Sequence, residues 1–153
     1  MIHGPGNKGN LNLLHSIIGK GIPWPLGAYG NSRSFLSIDN LCYVIKEILE
    51  GKVSTGVYNV ADDGALSTTE LVSIISEVSN KKARIWDVPK PIIQMIAKAG
   101  YILPLPLNED RLEKLTENYL VSNKKIKKAI GIERMPVSAR EGMIKTLQDF
   151  EAS

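Results

Sequence analysis

The sequence predicts a mixed α/β chain, rich in helix, with three or four short strands. Apolar residues recur at helical spacing in several windows. Two Ser-x-x-Glu capping boxes, at 67–70 and 138–141, each precede such a window. Short β-type runs stand between turn signals elsewhere.

In chain order, residues 10–18 read as a helix, because Leu11, Leu14, Ile17 and Ile18 share a face and Gly19 and Gly21 stop it. Residues 22–32 hold too much Pro and Gly for regular structure. Residues 33–38 alternate and predict a strand. Asp39 is the expected N-cap of a helix over 40–50, whose stripe is Leu41, Val44, Ile45, Ile48 and Leu49. Residues 56–60 predict a strand, and Asp62-Asp63-Gly64 a turn. The first capping box opens a helix carrying Leu71, Ile74, Ile75 and Val78. A strand is expected over 83–88, a helix over 92–99 behind Pro89 and Pro91, and a helix over 108–117. A short strand at 119–121 and a helix over 123–130, ended by Gly131, come next. The second box opens a last helix with Met143, Ile144, Leu147 and Phe150. Residues 101–107 form an apolar stretch broken by Pro104 and Pro106, suited to a lid, a dimer contact or a covered surface.

With 153 residues, the chain is long enough to bury a core without staples. At 43% hydrophobic and 23% charged it is neither disordered nor fibrous. One cysteine, Cys42, excludes an intrachain disulfide, and with two histidines a structural metal is not expected. No run is long enough to span a bilayer, and residues 1–15 hold no signal-type apolar run, so a cytoplasmic setting without a membrane partner is expected. The net charge of +3 admits an anionic ligand without demanding nucleic acid.

Three segments invite a functional reading. Gly4, Gly6 and Gly9 spell G-x-G-x-x-G ahead of a helix, with Lys8 inside. The dinucleotide fingerprint needs a preceding strand and an acidic residue about 20 positions on, and residues 25–33 contain none. A phosphate on a helix N-terminus and a plain turn both remain open. Trp24, between Pro23 and Pro25, forms either a stiff platform for a flat ring or a loop covering core. Arg33, at a strand end beside it, suits a diphosphate or a surface salt bridge. Lys124, Lys125, Lys127 and Lys128 lie on the solvated face of a helix whose other face is apolar, and no aromatic residue interleaves with them, so nucleic-acid binding is not expected.

The ordered set His-Gly-Pro-Gly (3–6), Lys-Gly-Asn-Leu (8–11), Pro-Leu-Gly (25–27), Asn-Ser-Arg-Ser-Phe (31–35), Asp-Asn-Leu (39–41), Gly-Val-Tyr-Asn-Val (56–60), Ser-Thr-Thr-Glu-Leu (67–71) and Val-Ser-Asn-Lys-Lys (121–125) resembles the extended short-chain dehydrogenases/reductases. It is most similar to the nucleotide-sugar epimerase/dehydratase group of the UDP-glucose 4-epimerase type. The match covers only the back part of the family's pattern. Family members begin with an NAD-binding Rossmann domain and carry a catalytic Tyr-x-x-x-Lys. Here Tyr29, Tyr43, Tyr58, Tyr101 and Tyr119 are followed four positions on by Arg33, Glu47, Asp62, Leu105 and Asn123, none of them Lys. The resemblance therefore implies that 1–153 is a C-terminal, nucleotide-sugar-binding lobe, lacking the Rossmann domain, with no catalytic residue and no bound cofactor of its own. NAD belongs to the full-length family.

Carried over by motif, Asn10 and Leu11 would contact diphosphate and ribose of a UDP-sugar. Pro25 and Leu26 would flank the uracil, and Arg33, ahead of Phe35, would meet the diphosphate. A second family arginine resembles Arg111, at a slightly different spacing from Tyr119. Asp39-Asn40-Leu41 would cap a helix and brace the seam with the absent domain. The implied partners are a UDP-sugar and either that domain or a second copy. The alternative is a stand-alone nucleotide-sugar-binding or protein-interaction module without catalysis.

Overall fold

The Ser67 box forms as its sequence dictates. Ser67 Oγ accepts from Glu70 N at 3.0 Å, while Ser67 N donates to Glu70 Oε2 at 2.7 Å. The helix that follows, Thr68–Val78, buries Val72, Ile74 and Ile75 completely. The computed structural model describes residues 1–6, 10–99 and 108–152, without the side chains of Asn10 and Arg111. Expectations placed on 7–9 and 101–107 lie outside the described residues.

The described elements are β1 (Ile2–His3), α1 (Asn10–Gly19), β2 (Leu36–Ser37), α2 (Ile38–Leu49), α3 (Thr68–Val78), α4 (Lys90–Ala99), α5 (Glu109–Thr116), α6 (Lys124–Ile130) and α7 (Ala139–Ala152). Helix α3 packs between α1 and α7, and α4 meets α5. The main core joins Leu11, Leu14 and Ile18 of α1 to the α3 stripe, to Met143 and Leu147 of α7, and to Trp24, Leu26 and Phe35. Each such side chain contributes about 1.5–3 kcal/mol on burial. A smaller cluster gathers Val44 of α2, Ile126 of α6 and Met135.

The sheet is smaller than the sequence predicts. β1 and β2 pair in parallel, Ile2 opposite Leu36 and His3 opposite Ser37. The expected strand at 33–38 narrows to Leu36–Ser37, with Arg33 bridging Leu66 and Tyr119. The 83–88 strand reduces to bridges of Ile85 with Trp24 and Asp87 with Leu26. Residues 56–60 form no ladder among the described residues. A strand is completed by a neighbour's hydrogen bonds, which β-propensity does not supply.

The N-cap of α2 is Ser37, not Asp39. Ser37 has the extended conformation a cap requires, and its Oγ accepts from Asn40 N at 3.3 Å. Asp39 falls in the first turn and reaches Lys145 Nζ at 2.6 Å instead. Gly131 closes α6 at φ +84°, a conformation costly for any residue with a Cβ.

Candidate functional site

Asn31 builds the segment that carries Arg33. Its Oδ1 accepts from Thr68 N at 2.8 Å, and its Nδ2 donates to Thr68 Oγ1 and Leu115 O. One buried amide therefore ties the start of α3 to the end of α5. Arg33 N and O exchange hydrogen bonds with Leu66, and Ser34 N donates to Tyr119 O. With its backbone so held, the Arg33 guanidinium lies at the C-terminal end of α5. Nη1 donates to Lys114 O at 2.6 Å, and Nη2 sits 3.5 Å from Glu117 Oε1. The side chain is 25% exposed. A helix C-terminus carries partial negative charge, so this site favours a cation.

The other carried-over residues divide. Leu11 and Leu26 are 2% and 3% exposed and belong to the core, so only their backbones can face a ligand. Pro25 is half-buried. Asn10 opens α1 and Arg111 lies in α5, both with side chains outside the described residues. Trp24, at 6% exposure, turns its ring into the core. The proline-flanked loop covers core and offers no open aromatic platform.

Tyr29, between these residues in sequence, lines a cleft of about 430 Å³ with Gln94 and Lys98 of α4 and Glu109, Leu112, Glu113 and Thr116 of α5.

 Another cleft is larger, about 620 Å³. Tyr29 N donates to Leu26 O, its hydroxyl donates to Lys90 O at 3.4 Å, and Lys90 Nζ lies 5.3 Å from its ring centroid. Burial raises the Tyr29 hydroxyl above its ordinary pKa. Helix α5 thus walls the cleft, carries Arg111 and receives Arg33.

The larger cleft borders a polar hub that sequence reasoning took for a turn. Asp62 is buried and accepts from Ser37 N (2.8 Å), Ser37 Oγ (3.0 Å) and Asn40 Nδ2 (2.6 Å), with His3 Nε2 at 3.5 Å. His3 Nδ1 lies 2.9 Å from Thr146 Oγ1, whose own proton goes to Gly142 O. Thr146 therefore accepts from His3. Burial acts to raise the Asp62 carboxyl, but the nearby His3 ring and the bonds from Asn40 and Ser37 outweigh burial and hold it below the usual range. Asp63 points elsewhere, accepting from Asn123 Nδ2, Lys127 Nζ and Met135 N. Burial opposes its ionisation too, and Lys127, Asn123 and Met135 overcome it. The only sequence signal for this hub was a pair of carboxylates closing an apolar run. Lys125 donates to Val57 O and covers the Tyr58 ring, so two of the four helix lysines serve internal contacts.

The described start of the glycine loop follows β1, and Gly6 N donates to the Asp149 carboxylate at 3.2 Å. Among the described residues no cluster of His, Cys, Asp and Glu could hold a metal ion.

No family model matches the chain. It is 30% identical over 154 residues to a UDP-glucose 4-epimerase from Vibrio cholerae, spanning 98% of this chain and 44% of that protein. It is 33% identical over 132 residues to the N-acetyl-alpha-D-glucosaminyl-diphospho-ditrans,octacis-undecaprenol 4-epimerase of Escherichia coli O157:H7, spanning 84% and 37%. The chain thus spans less than half the length of the curated relatives it matches. Its fold is that of part of the dTDP-glucose 4,6-dehydratase (rfbB) from Bacillus anthracis str. Ames, solved in complex with NAD, at a TM-score of 0.65 and 20% identity over 100% of this chain and 43% of that one. WbmG from Bordetella bronchiseptica, solved with NAD and UDP, superposes at 0.66 with 14% identity over 99% and 42%. The chain is thus similar to part of two sugar 4-epimerases and shares the fold of part of these NAD-complexed structures.

Proposed function

We propose that this chain binds a hexose carried on a diphosphate, a UDP-hexose first, and that Arg33 is its main anchor. The observation that supports this reading is the match to a UDP-glucose 4-epimerase along 98% of the chain. The two relatives' substrates, as named, share a sugar joined to a diphosphate and differ in what the diphosphate is attached to. A guanidinium meets a diphosphate with two parallel hydrogen bonds, which an ammonium cannot do. To accept it, Arg33 releases Glu117, an exposed partner at 3.5 Å, while Lys114 O keeps the guanidinium oriented. Asn10, Leu11, Pro25, Leu26 and Arg111 would complete the contacts, the two leucines through their backbones.

In this reading the whole protein is an NAD-dependent nucleotide-sugar epimerase or dehydratase. NAD supplies hydride removal and return. This chain, without Tyr-x-x-x-Lys and with Asp149 facing its glycine loop, neither binds NAD nor turns over sugar alone. Its role is to bind and orient the diphosphate.

The test is a chemical-shift titration with UDP. Each charge-assisted bond contributes about 1.5–3 kcal/mol, so Arg33→Ala should weaken binding about tenfold to a hundredfold. Arg33→Lys should recover part of the loss, Lys124→Ala should change little, and Glu117→Ala should tighten binding by freeing the guanidinium. Equal losses from Arg33→Ala and Lys124→Ala would assign binding to a diffuse basic surface. Shifts that avoid residues 10–35 would overturn the site.

A further inference from the structure

Two carbonyls in the last turn of α5 are taken by one short segment of the chain. Arg33 Nη1 donates to Lys114 O at 2.6 Å, and Asn31 Nδ2, two residues earlier, donates to Leu115 O at 3.0 Å. Carbonyls at a helix C-terminus lack partners within the helix, so both bonds fill a need. The same Nδ2 lies 3.5 Å from Glu117 O and so also places the residue whose carboxylate faces the guanidinium. On its other side, Asn31 Oδ1 accepts at 2.8 Å from Thr68 N, a first-turn N–H of α3 that likewise lacks a helical partner. Thr68 Oγ1 accepts from Asn31 and donates to Leu115 O. Asn31 is 9% exposed. A carboxamide carries both the donors and the acceptor this place requires, whereas a carboxylate has no proton to give.

We infer that Asn31 is a positioning residue for anion binding at Arg33: it holds the end of α5 where Lys114 O orients the guanidinium. The Arg33 backbone is fixed separately, by Leu66 and, through Ser32 and Ser34, by Tyr119. Asn31 therefore acts on the seat of the side chain, which is the helix end. Helix α5 has eight residues, too few to hold a direction by itself. Leu112 and Leu115 anchor it in the core, but apolar contacts are non-directional. The angle at which its last carbonyls meet Arg33 is set by the bonds from Asn31 and Thr68. A guanidinium already oriented loses less freedom when an anion binds, so its affinity is higher. The inference rests on Arg33 as the diphosphate anchor and adds what sets the strength of that anchor.

The test has one readout without ligand and one with UDP, both on the 153-residue chain. Without ligand, hydrogen bonding to Lys114 O should slow rotation of the Arg33 guanidinium and keep its N–H signals apart in nuclear magnetic resonance. In Asn31→Ala those signals should merge. With UDP, Asn31→Ala should weaken binding about twofold to tenfold, the cost of ordering one long side chain on association. The advantage of arginine over lysine at position 33 should shrink in the Asn31→Ala background, because two parallel bonds need a fixed guanidinium. Ser67→Ala, which weakens the cap of α3 without touching α5, is the control for lost stability alone and should leave UDP affinity unchanged. Circular dichroism checks the fold, and Asn31→Ser serves if the alanine variant is unfolded. Unchanged Arg33 signals in Asn31→Ala would overturn the inference, as would an equal loss of affinity in Ser67→Ala. If UDP fails to bind the unmodified chain, the diphosphate reading falls, while the ligand-free signals still decide whether Asn31 positions Arg33.

Discussion

Helices α3 and α4 have 11 and 10 residues and are both apolar. The first buries Leu71, Val72, Ile74 and Ile75, and the second buries only Ile93 and Ala97. The difference lies in their neighbours. α3 has α1 on one side and α7 on the other, whereas among the described helices α4 packs extensively against α5 alone. Helical periodicity tells where a helix has an apolar face. It does not tell whether the rest of the chain reaches round to cover it.

That contrast sets an order of expected effects. Ile75→Ala, in the middle of α3, should cost about 2–5 kcal/mol, read as a shift in the denaturant midpoint. A cost under 1 kcal/mol would mean that the α1–α3–α7 packing is loose. Polar burial comes next. Asp62→Asn places amide protons where Ser37 and Asn40 already donate, and should cost about 1–3 kcal/mol. Because the Asp62 and Asp63 carboxyls sit below their ordinary pKa, their stabilisation is present above the usual carboxylate range and is lost as pH falls through the folded values. The thermal midpoint should therefore fall on acidification below about pH 4, and less steeply in Asp62→Asn. An identical slope in both proteins would remove Asp62 from that role. Ser67→Ala breaks one cap of α3 and should cost about 1 kcal/mol. Met95→Ser, on the open side of α4, should change stability by no more than about 0.5 kcal/mol. A larger loss would show that the side is covered after all.

The sequence made every helix legible, because each rests on local signals: the Ser67 and Ser138 boxes, the Gly131 stop, and stripes such as Leu71, Ile74 and Ile75. The α2 cap was misassigned by two residues, since Ser37 and Asp39 are both good caps and the choice fell to Asp62, which is far from both in sequence. The strands were overestimated for a related reason. Val57 to Val60 has the composition of a strand, but its completion depends on a partner no local pattern names. Around the candidate site, the extended, bridge-forming backbone at Arg33 was legible from the sequence. Asn31, which fixes the Arg33 backbone through Thr68 and Leu115, was not, because an asparagine in a loop carries no sign of the helices it will join.

The contact of His3 with Thr146, and of Gly6 with Asp149, places the first strand against the last helix across 143 residues of sequence. Pairings of such separation are slow to form, because a long loop must close before they return any energy. β1 is synthesised well before α7, and it stays without its α7 partners for as long as the sequence between them takes to be made. A chain shortened by one turn at α7 should consequently fold more slowly at its other end.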